Sequence, residues 1–297
     1  MAETKAAFRR RVGRLTRLVR VITTTAAGNA GGTTAVADSL LDYYPANAVA
    51  RGLFCYHPVT FLWRRVSDYD TSSPPTITFS RAFSAQVAGS VALELYSTFP
   101  PEDFDEALRQ ALSEVFPYLA TKVYDTSLTT AVNTYEYTIP SSILDMTRTL
   151  GARVEYQANT SEPTYPYQTI YGWTVRDNNG ARTLLIPPHE HPGARVLRLT
   201  GFGTLAYPAT DATSIPLDEY QLQLLAYKTA EVLYRSAVTD PNTDRSFFDG
   251  QAARYNALFE QHKDGWGLVI EPTPMRTNFD AIRNRGDISE NFRPFDP

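Results

Sequence analysis

The chain has 297 residues, of which 43% are hydrophobic and 20% are charged, and its formal net charge is −4 at pH 7. This composition predicts two domains of about 150 residues each and excludes bulk disorder. Cys55 is the only cysteine, which excludes an internal disulfide framework and a cysteine-rich zinc site. No apolar run reaches the ~18 residues of a membrane helix, so we expect no membrane partner.

Residues 4–20 have the pattern of an amphipathic helix, which we assign to a first segment, 1–25. Apolar side chains recur every three or four positions, at Phe8, Val12, Leu15, Leu18 and Ile22. Arginine forms bidentate contacts at interfaces, so we predict that this helix binds an acidic partner surface. The predicted contact residues are Arg9, Arg10, Arg11, Arg14 and Arg17. Phosphate contacts with nucleic acid, or a solvated polar face, are the alternatives.

The segment 33–98 is predicted to be a small β-barrel-like domain. Short segments with β-strand patterns are separated by turns rich in proline, glycine and aspartate. The predicted strands are 33–37, 52–57, 60–67, 76–80 and 91–97. Short strands at such close spacing are typical of a small barrel or sandwich.

Residues 99–264 are predicted to form a helical core with a β insertion at 131–205. A proline followed by acidic residues starts a helix over 102–116. Two further helices, 217–238 and 241–262, have a short connection and form an αα-hairpin. The predicted strands of the insertion are 134–139, 153–157, 169–175, 182–186 and 195–200, with an Asn179-Gly180 hairpin turn.

The last segment, 265–297, has no periodic pattern and contains several prolines, so we expect an extended assembly arm. Its aromatic side chains are spaced too irregularly for one local element and are predicted to anchor the arm in pockets on partners. These residues are Trp266, Phe279, Phe292 and Phe295. The expected fold class is therefore α+β: a helical bundle (the αα-hairpin and one earlier helix) with a small N-terminal β-barrel-like domain, a β insertion and this C-terminal arm.

Motifs that carry catalysis are absent from the sequence, which has no Walker A, G-x-S-x-G or H-E-x-x-H pattern. The His189-Glu190-His191 run would place two imidazoles on one face of an extended segment, but no third metal ligand can be nominated. The acidic residues at Asp68, Asp70 and 102–106 fit a turn and a first helical turn. We therefore expect no catalytic residues, no cofactor and no bound metal, and a protein that is not an enzyme.

Several stretches in the N-terminal half resemble a family of tailed-bacteriophage virion proteins. In that family a strand ending in aspartate, a glycine-aromatic strand and an Arg-x-[Ile/Val]-x-x-Tyr segment precede a threonine-rich strand. The matching stretches here are 33–41, 50–54, 63–69 and 76–79. The family's helix pattern Pro-x-x-Phe-x-x-Ala-Leu-x-x-Ala-Leu is matched by Pro101, Phe104, Ala107, Leu108, Ala111 and Leu112.

The C-terminal half is similar to head-to-tail adaptor proteins, in which an arm reaches a neighbouring ring, and residues 216–262 and 265–297 fit that plan. The resemblance implies a structural subunit of a connector ring in the virion neck, a homo-oligomer (a dodecamer) assembled in the host cytoplasm. Its implied partners are the portal protein, the next neck or tail protein and, transiently and non-specifically, exiting genomic DNA. A tail-tube, tail-terminator or baseplate protein is one alternative. A carbohydrate-active or carbohydrate-binding β module is the alternative from another class.

Overall fold

The computed structural model describes residues 3–44, 52–146, 151–158, 167–178, 181–238 and 244–266. Helix and strand each make up about 30% of it. The helices in these residues are α1 Lys5–Thr16, α2 Leu40–Tyr43, α3 Pro101–Glu114, α4 Glu219–Ala237 and α5 Arg245–Trp266. The strands are β1 Glu3–Thr4, β2 Val19–Thr23, β3 Thr34–Val36, β4 Phe54–His57, β5 Leu62–Asp70, β6 Thr76–Phe79, β7 Ala92–Tyr96, β8 Thr121–Asp125, β9 Glu136–Thr138, β10 Arg153–Gln157, β11 Tyr167–Thr169, β12 Thr174–Asn178, β13 Ala181–Leu185, β14 Leu197–Gly203 and β15 Ser214–Ile215.

The expected fold class, a helical bundle with a small barrel-like domain and a β insertion, is wrong, because the molecule is rich in sheet. Its described strands form four sheets of two to six strands. Strands β2 and β8 were not predicted, because each is completed by a partner far away in sequence: β2 pairs with β7, and β8 pairs with β14. The helices share one compact unit with the largest sheet and do not form a domain of their own.

The described residues divide into two compact units. Unit 1 contains those between Met1 and Val115 and those between Ala206 and Gly267. Unit 2 contains those between Phe116 and Leu205. Unit 2 is therefore inserted into the sequence of unit 1.

The main sheet of unit 1 has six antiparallel strands in the order β2-β7-β4-β5-β6-β3. One face carries the apolar core of the unit, which includes Cys55, Tyr69, Ile77 and Leu95, all at most 1% exposed. An isolated bridge joins Ala26 to Val36 of β3. Alternating side chains place the predicted apolar positions Ile77 and Phe79 in this core, as a half-buried strand requires.

The helices of unit 1 begin and end at recognisable signals. The Thr4 hydroxyl accepts a hydrogen bond from the Ala7 amide at the start of α1, and Arg17, with φ 60°, ends the helix in the left-handed region. A reciprocal capping box between Asp218 and Gln221 starts α4.

The last two helices of unit 1 pack against each other through aromatic side chains. Tyr234 of α4 stacks on Tyr255 of α5 at 5.7 Å, and Tyr227 stacks on His262 at 6.1 Å. Later positions on α4 thus meet earlier positions on α5, so the two helices run in opposite directions, as predicted for this pair. None of the helices in the described ranges combines the length and the apolar character that crossing a bilayer requires.

Unit 2 consists of two antiparallel sheets around one apolar core. The sheets have the strand orders β11-β10-β14-β8 and β12-β13-β9. Val154, Leu184 and Leu199, all fully buried, are among the side chains that fill the core. Strands β12 and β13 pair from Thr174–Leu185 to Asn178–Ala181, which confirms the predicted pairing, although the first strand begins later than expected. The predicted turn, Asn179-Gly180, lies outside the described residues.

Candidate functional site

Arg9 lies at the centre of a buried group of charged and hydroxyl side chains in unit 1. Its side chain is 3% exposed. The Nε atom donates to the Tyr96 hydroxyl at 2.8 Å, and the two terminal nitrogens donate to the Asp211 carboxylate at 3.2 and 2.8 Å. A further hydrogen bond of 3.2 Å reaches Asp105 of α3. The guanidinium also lies over the ring of Tyr56 at 4.5 Å, which adds a cation–π contact.

Lys5 extends this group, which we call the charge network. Its Nζ atom donates to Asp105 at 2.7 Å and to the Tyr207 hydroxyl at 3.0 Å. The charge network therefore consists of two cations, Lys5 and Arg9, the hydroxyl groups around them, and three carboxylates: Asp105, Asp211 and Glu94, whose Oε2 atom lies 3.6 Å from Arg9 Nε. It joins α1 to α3 and to the segment that precedes β15.

The environment shifts the pKa values of several members of the charge network, among them Asp211, Lys5 and Tyr56. Burial would raise the pKa of Asp211, but hydrogen bonds from Arg9 and Tyr56 and the charges of Arg9 and Lys5 outweigh it and lower that pKa. Burial would lower the pKa of Lys5, but its bonds to Asp105 and Tyr207 raise it. Burial and the hydrogen bond to Asp211 raise the pKa of the Tyr56 hydroxyl. The ion pairs and hydrogen bonds of the charge network thus stabilise the ionised forms of Asp211 and Lys5 in the folded unit.

Two more of the predicted contact arginines are also used inside unit 1. Arg10 Nε bonds the fully buried Glu94 at 2.6 Å, and Arg11 Nε bonds Glu3 at 2.7 Å and reaches Glu219 with its terminal nitrogens. Arg14 and Arg17 are exposed. The structure therefore divides the predicted set of five: Arg9, Arg10 and Arg11 hold α1 in place, and Arg14 and Arg17 face solvent.

A second feature of unit 1 was missed by the sequence interpretation: an open groove lined by aromatic and arginine side chains. We call it the Arg–aromatic groove; its volume is about 630 Å³. It is named for Phe54, Phe61, Trp63, Arg64, Arg65 and Arg81, and its lining also includes Leu62, Ser80 and the carboxylate of Glu102. The run Phe61-Leu62-Trp63-Arg64-Arg65 was the available signal, since tryptophan, phenylalanine and arginine are typical of binding surfaces.

The walls of the Arg–aromatic groove are held in place by local contacts. Phe54 meets Trp63 edge-on at 5.2 Å, and the Trp63 indole N–H donates to Glu102 of α3. Arg64 donates to the carbonyl oxygens of Ala82 and Trp63 at 2.9 and 2.7 Å. The aromatic wall is thus fixed in shape before any partner binds.

The rim of the groove is available for binding. Phe61 is 60% exposed and has φ 55°, a left-handed conformation that costs energy for a bulky side chain. Val59, in the same hairpin turn, is 70% exposed. Arg65 and Arg81 are exposed, and neither forms an ion pair with any residue that the structure describes. Two unpaired guanidinium groups therefore stand beside an exposed aromatic ring.

The His189-Glu190-His191 run lies in a short 3-10 turn, Pro188–Glu190, and in the residue after it. His191 Nδ1 accepts from the Gly193 amide at 3.2 Å, so Nε2 carries the proton and donates to the Tyr137 hydroxyl at 3.0 Å. Both ring nitrogens are therefore occupied, while His189 is exposed. Within the described ranges, no group of three or more His, Cys, Asp or Glu side chains is placed to hold a metal ion.

The other acidic residues considered in the sequence, the single cysteine and Gly201 of β14 all have local structural roles. Asp70 accepts the Ser72 amide at 2.9 Å in a turn, and Asp105 belongs to the charge network. Cys55 is fully buried, and burial together with the charge of Glu94 raises the pKa of its thiol. A Cβ atom at Gly201 would collide with the Ile143 side chain and the Asp145 carbonyl, so this glycine allows close packing in unit 2.

The predicted anchors of the C-terminal arm fall mostly beyond the region described. Helix α5 continues to Trp266, so the backbone of this residue is helical. Phe279, Phe292 and Phe295 lie outside the described residues.

No protein-family model matches the chain, and a search of curated proteins finds no significant match either.

Proposed function

We propose that this chain is a structural subunit of a bacteriophage head-to-tail connector, a ring that joins the portal to the tail and forms part of the DNA exit channel. The proposal starts from the resemblance of 33–116 and 215–297 to virion neck proteins. It assigns the protein a binding role and no catalytic role.

The observation that carries the proposal is the Arg–aromatic groove. Tryptophan and arginine dominate the binding energy of protein interfaces when they cluster in a preformed concavity. Here Trp63 is fixed by Phe54 and Glu102, while Arg65 and Arg81 have no ion-pair partner among the described residues. A fixed apolar wall beside two exposed guanidinium groups is the arrangement expected of a protein-binding surface.

Exposed apolar side chains in unit 2 support the same role. Val132 is 69% exposed, Tyr124 56% and Tyr171 53%. Tyrosine is enriched at protein interfaces, so exposed tyrosines such as Tyr124 and Tyr171 are compatible with surfaces that become covered in an assembly. An adaptor that contacts ring neighbours, the portal and a tail protein needs several such surfaces.

The charge network supports a structural role for this subunit. Its carboxylates bind cations of the same unit, and its hydroxyl groups are hydrogen-bonded within it. A network of this kind rigidifies the unit that carries the groove.

The test is to delete the gene from the phage or prophage that encodes it and to examine the particles by electron microscopy. We expect DNA-filled heads separated from tails, and the protein should be found at the neck of wild-type particles by labelling. Particles of normal form after deletion would contradict the proposal. A label at the tail tube or tip would favour a tail-tube, terminator or baseplate protein, and turnover or binding of a glycan would favour the carbohydrate module.

A further inference from the structure

The two ends of the main sheet of unit 1 carry opposite charge. Strand β5 begins at Leu62, carries Arg64 and Arg65 in its first half and ends at Asp70. Across the ladder, Asp70 and Val36 both pair with Thr76, so the end of β3 lies at the same end of the sheet as Asp70. The chain continues from there through Asp38 to α2.

We call this end the acidic edge, defined by Asp38, Leu41, Asp42, Tyr43 and Asp70. Asp38, Asp42 and Asp70 are exposed, Leu41 is 40% exposed and Tyr43 is 43% exposed. Arg20 lies over the Tyr43 ring at 5.3 Å, which leaves three carboxylates against one guanidinium. The acidic edge therefore combines net negative charge with two apolar side chains.

We infer that the Arg–aromatic groove of one copy binds the acidic edge of unit 1 in a neighbouring copy. This inference rests on the proposed function, because it names the two surfaces through which ring neighbours meet. The occupant is a second copy of this chain.

Charge and shape make the two surfaces complementary. Arg65 and Arg81 offer guanidinium groups whose geometry matches the carboxylates of Asp38 and Asp42. Phe61 and Trp63 offer an apolar wall to Leu41 and Tyr43 of the neighbour. The two surfaces are thus complementary: Arg65 and Arg81 face Asp38 and Asp42, and the rings of Phe61 and Trp63 face Leu41 and Tyr43.

The positions of the two surfaces require two copies. Arg65 and Asp70 are five residues apart on one strand, a separation of about 16 Å. A copy cannot place its own acidic edge in its own groove across that distance, so the contact is head-to-tail between copies. Head-to-tail contacts generate rings when the rotation between copies closes.

The test is a charge exchange on the full chain, measured by sedimentation. One variant, Arg65→Glu with Arg81→Glu, makes both surfaces acidic, and the other, Asp38→Lys with Asp42→Lys, makes both basic. We expect the wild type to self-associate and each variant alone to associate at least roughly a hundredfold more weakly, because like charges oppose each other. An equimolar mixture should associate again, with the two variants alternating.

A third variant separates a lost contact from a damaged fold. Phe61→Gly removes the exposed ring while relieving the left-handed strain, so it should keep or raise the free energy of unfolding and still weaken association. Circular dichroism and urea titration check all variants.

Several results would overturn the inference. These are a wild type that remains monomeric, single variants that associate like the wild type, a mixture that does not recover, or variants that lose only affinity for a DNA duplex. Detection of the protein at the neck of virions is a separate measurement. The protein can be found at the neck even if the charge exchange has no effect on association, so the two proposals can be refuted separately.

Discussion

Arg9 and Asp211 form an ion pair with two hydrogen bonds, 3.2 and 2.8 Å long, although 202 residues separate them in the chain. The pair connects the first helix of unit 1 to the segment that returns from unit 2. Arg9 is buried, and Asp211 also accepts from the Tyr56 hydroxyl, so the geometry of the pair is fixed from both sides.

Replacing Asp211 by asparagine should lower the free energy of unfolding by about 3 kcal/mol. The change leaves the buried guanidinium of Arg9 without its closest counter-ion, a situation that costs about 3–5 kcal/mol elsewhere, and Asp105 compensates for part of it. Urea unfolding followed by circular dichroism measures the effect. The matched control is Glu106→Gln, which breaks an exposed pair with Arg109 and should cost less than about 0.5 kcal/mol. Equal effects of the two substitutions would contradict this reading of the network.

The stabilising effect of Asp211 should disappear in acid. Its pKa in the folded protein lies below the ordinary value of 3.8, so folding favours the ionised form. Its contribution is therefore fully present above about pH 4 and is lost as pH falls through the folded-state pKa. The difference in unfolding free energy between the wild type and Asp211→Asn should be constant from pH 7 to pH 5 and shrink below pH 4. A difference that grows in acid would show the opposite sign and refute the assignment.

Two helical glycines should respond to alanine with opposite signs. A Cβ at Gly13 of α1 would collide with the Val19 side chain, so Gly13→Ala should destabilise the protein by about 1–3 kcal/mol. At Gly250 of α5, apart from the backbone of its own helix and the two neighbouring residues, no atom of the residues that the structure describes lies within 4 Å of the added Cβ. Gly250→Ala should therefore stabilise the protein by about 0.5–1 kcal/mol through helix propensity alone. Thermal or urea unfolding of both variants decides the matter, and stabilisation at position 13 would contradict the packing.

The Cys55 thiol should be protected from reaction with disulfide reagents as long as unit 1 is folded. The side chain is fully buried, and burial with the charge of Glu94 raises the pKa of the thiol, so little reactive thiolate forms. In the native protein a disulfide reagent should react far more slowly than with a free cysteine, at a rate that rises with urea concentration in step with unfolding. Reaction at the free-cysteine rate in native buffer would refute this prediction.

Much of the secondary structure could be predicted from local patterns, and the ends of elements could not. The helix over 102–116 is found as α3, and the strand over 153–157 is found as β10. The sequence pattern predicts a first helix up to position 20, because Leu18 and Ile22 continue the apolar spacing. It ends at Arg17, since the β-branched residues of β2 gain a partner strand, β7, from about 75 residues later.

The sequence identified the α1 arginines as residues that bind acidic groups, but it did not identify the partners that they bind. The arginines of α1 stood out in the sequence, but the acids that pair with Arg9 come from α3 and from the segment before β15. Spacing along one helix does not reveal such partners. The Arg–aromatic groove was missed for the same reason: Arg81 joins Trp63 and Arg65 only through the pairing of β5 with β6.

The insertion of unit 2 into unit 1 sets an order of events on the ribosome. Lys5 and Arg9 emerge first, and Asp211 follows 202 residues after Arg9, roughly 10–40 s later at 5–20 residues per second. The described residues of unit 2 lie between Phe116 and Leu205, so this segment is synthesised before the second half of unit 1. A nascent chain stopped before Ala206 therefore leaves the α1 arginines without Asp211 and Glu219, exposed to any acidic surface nearby, including chaperones.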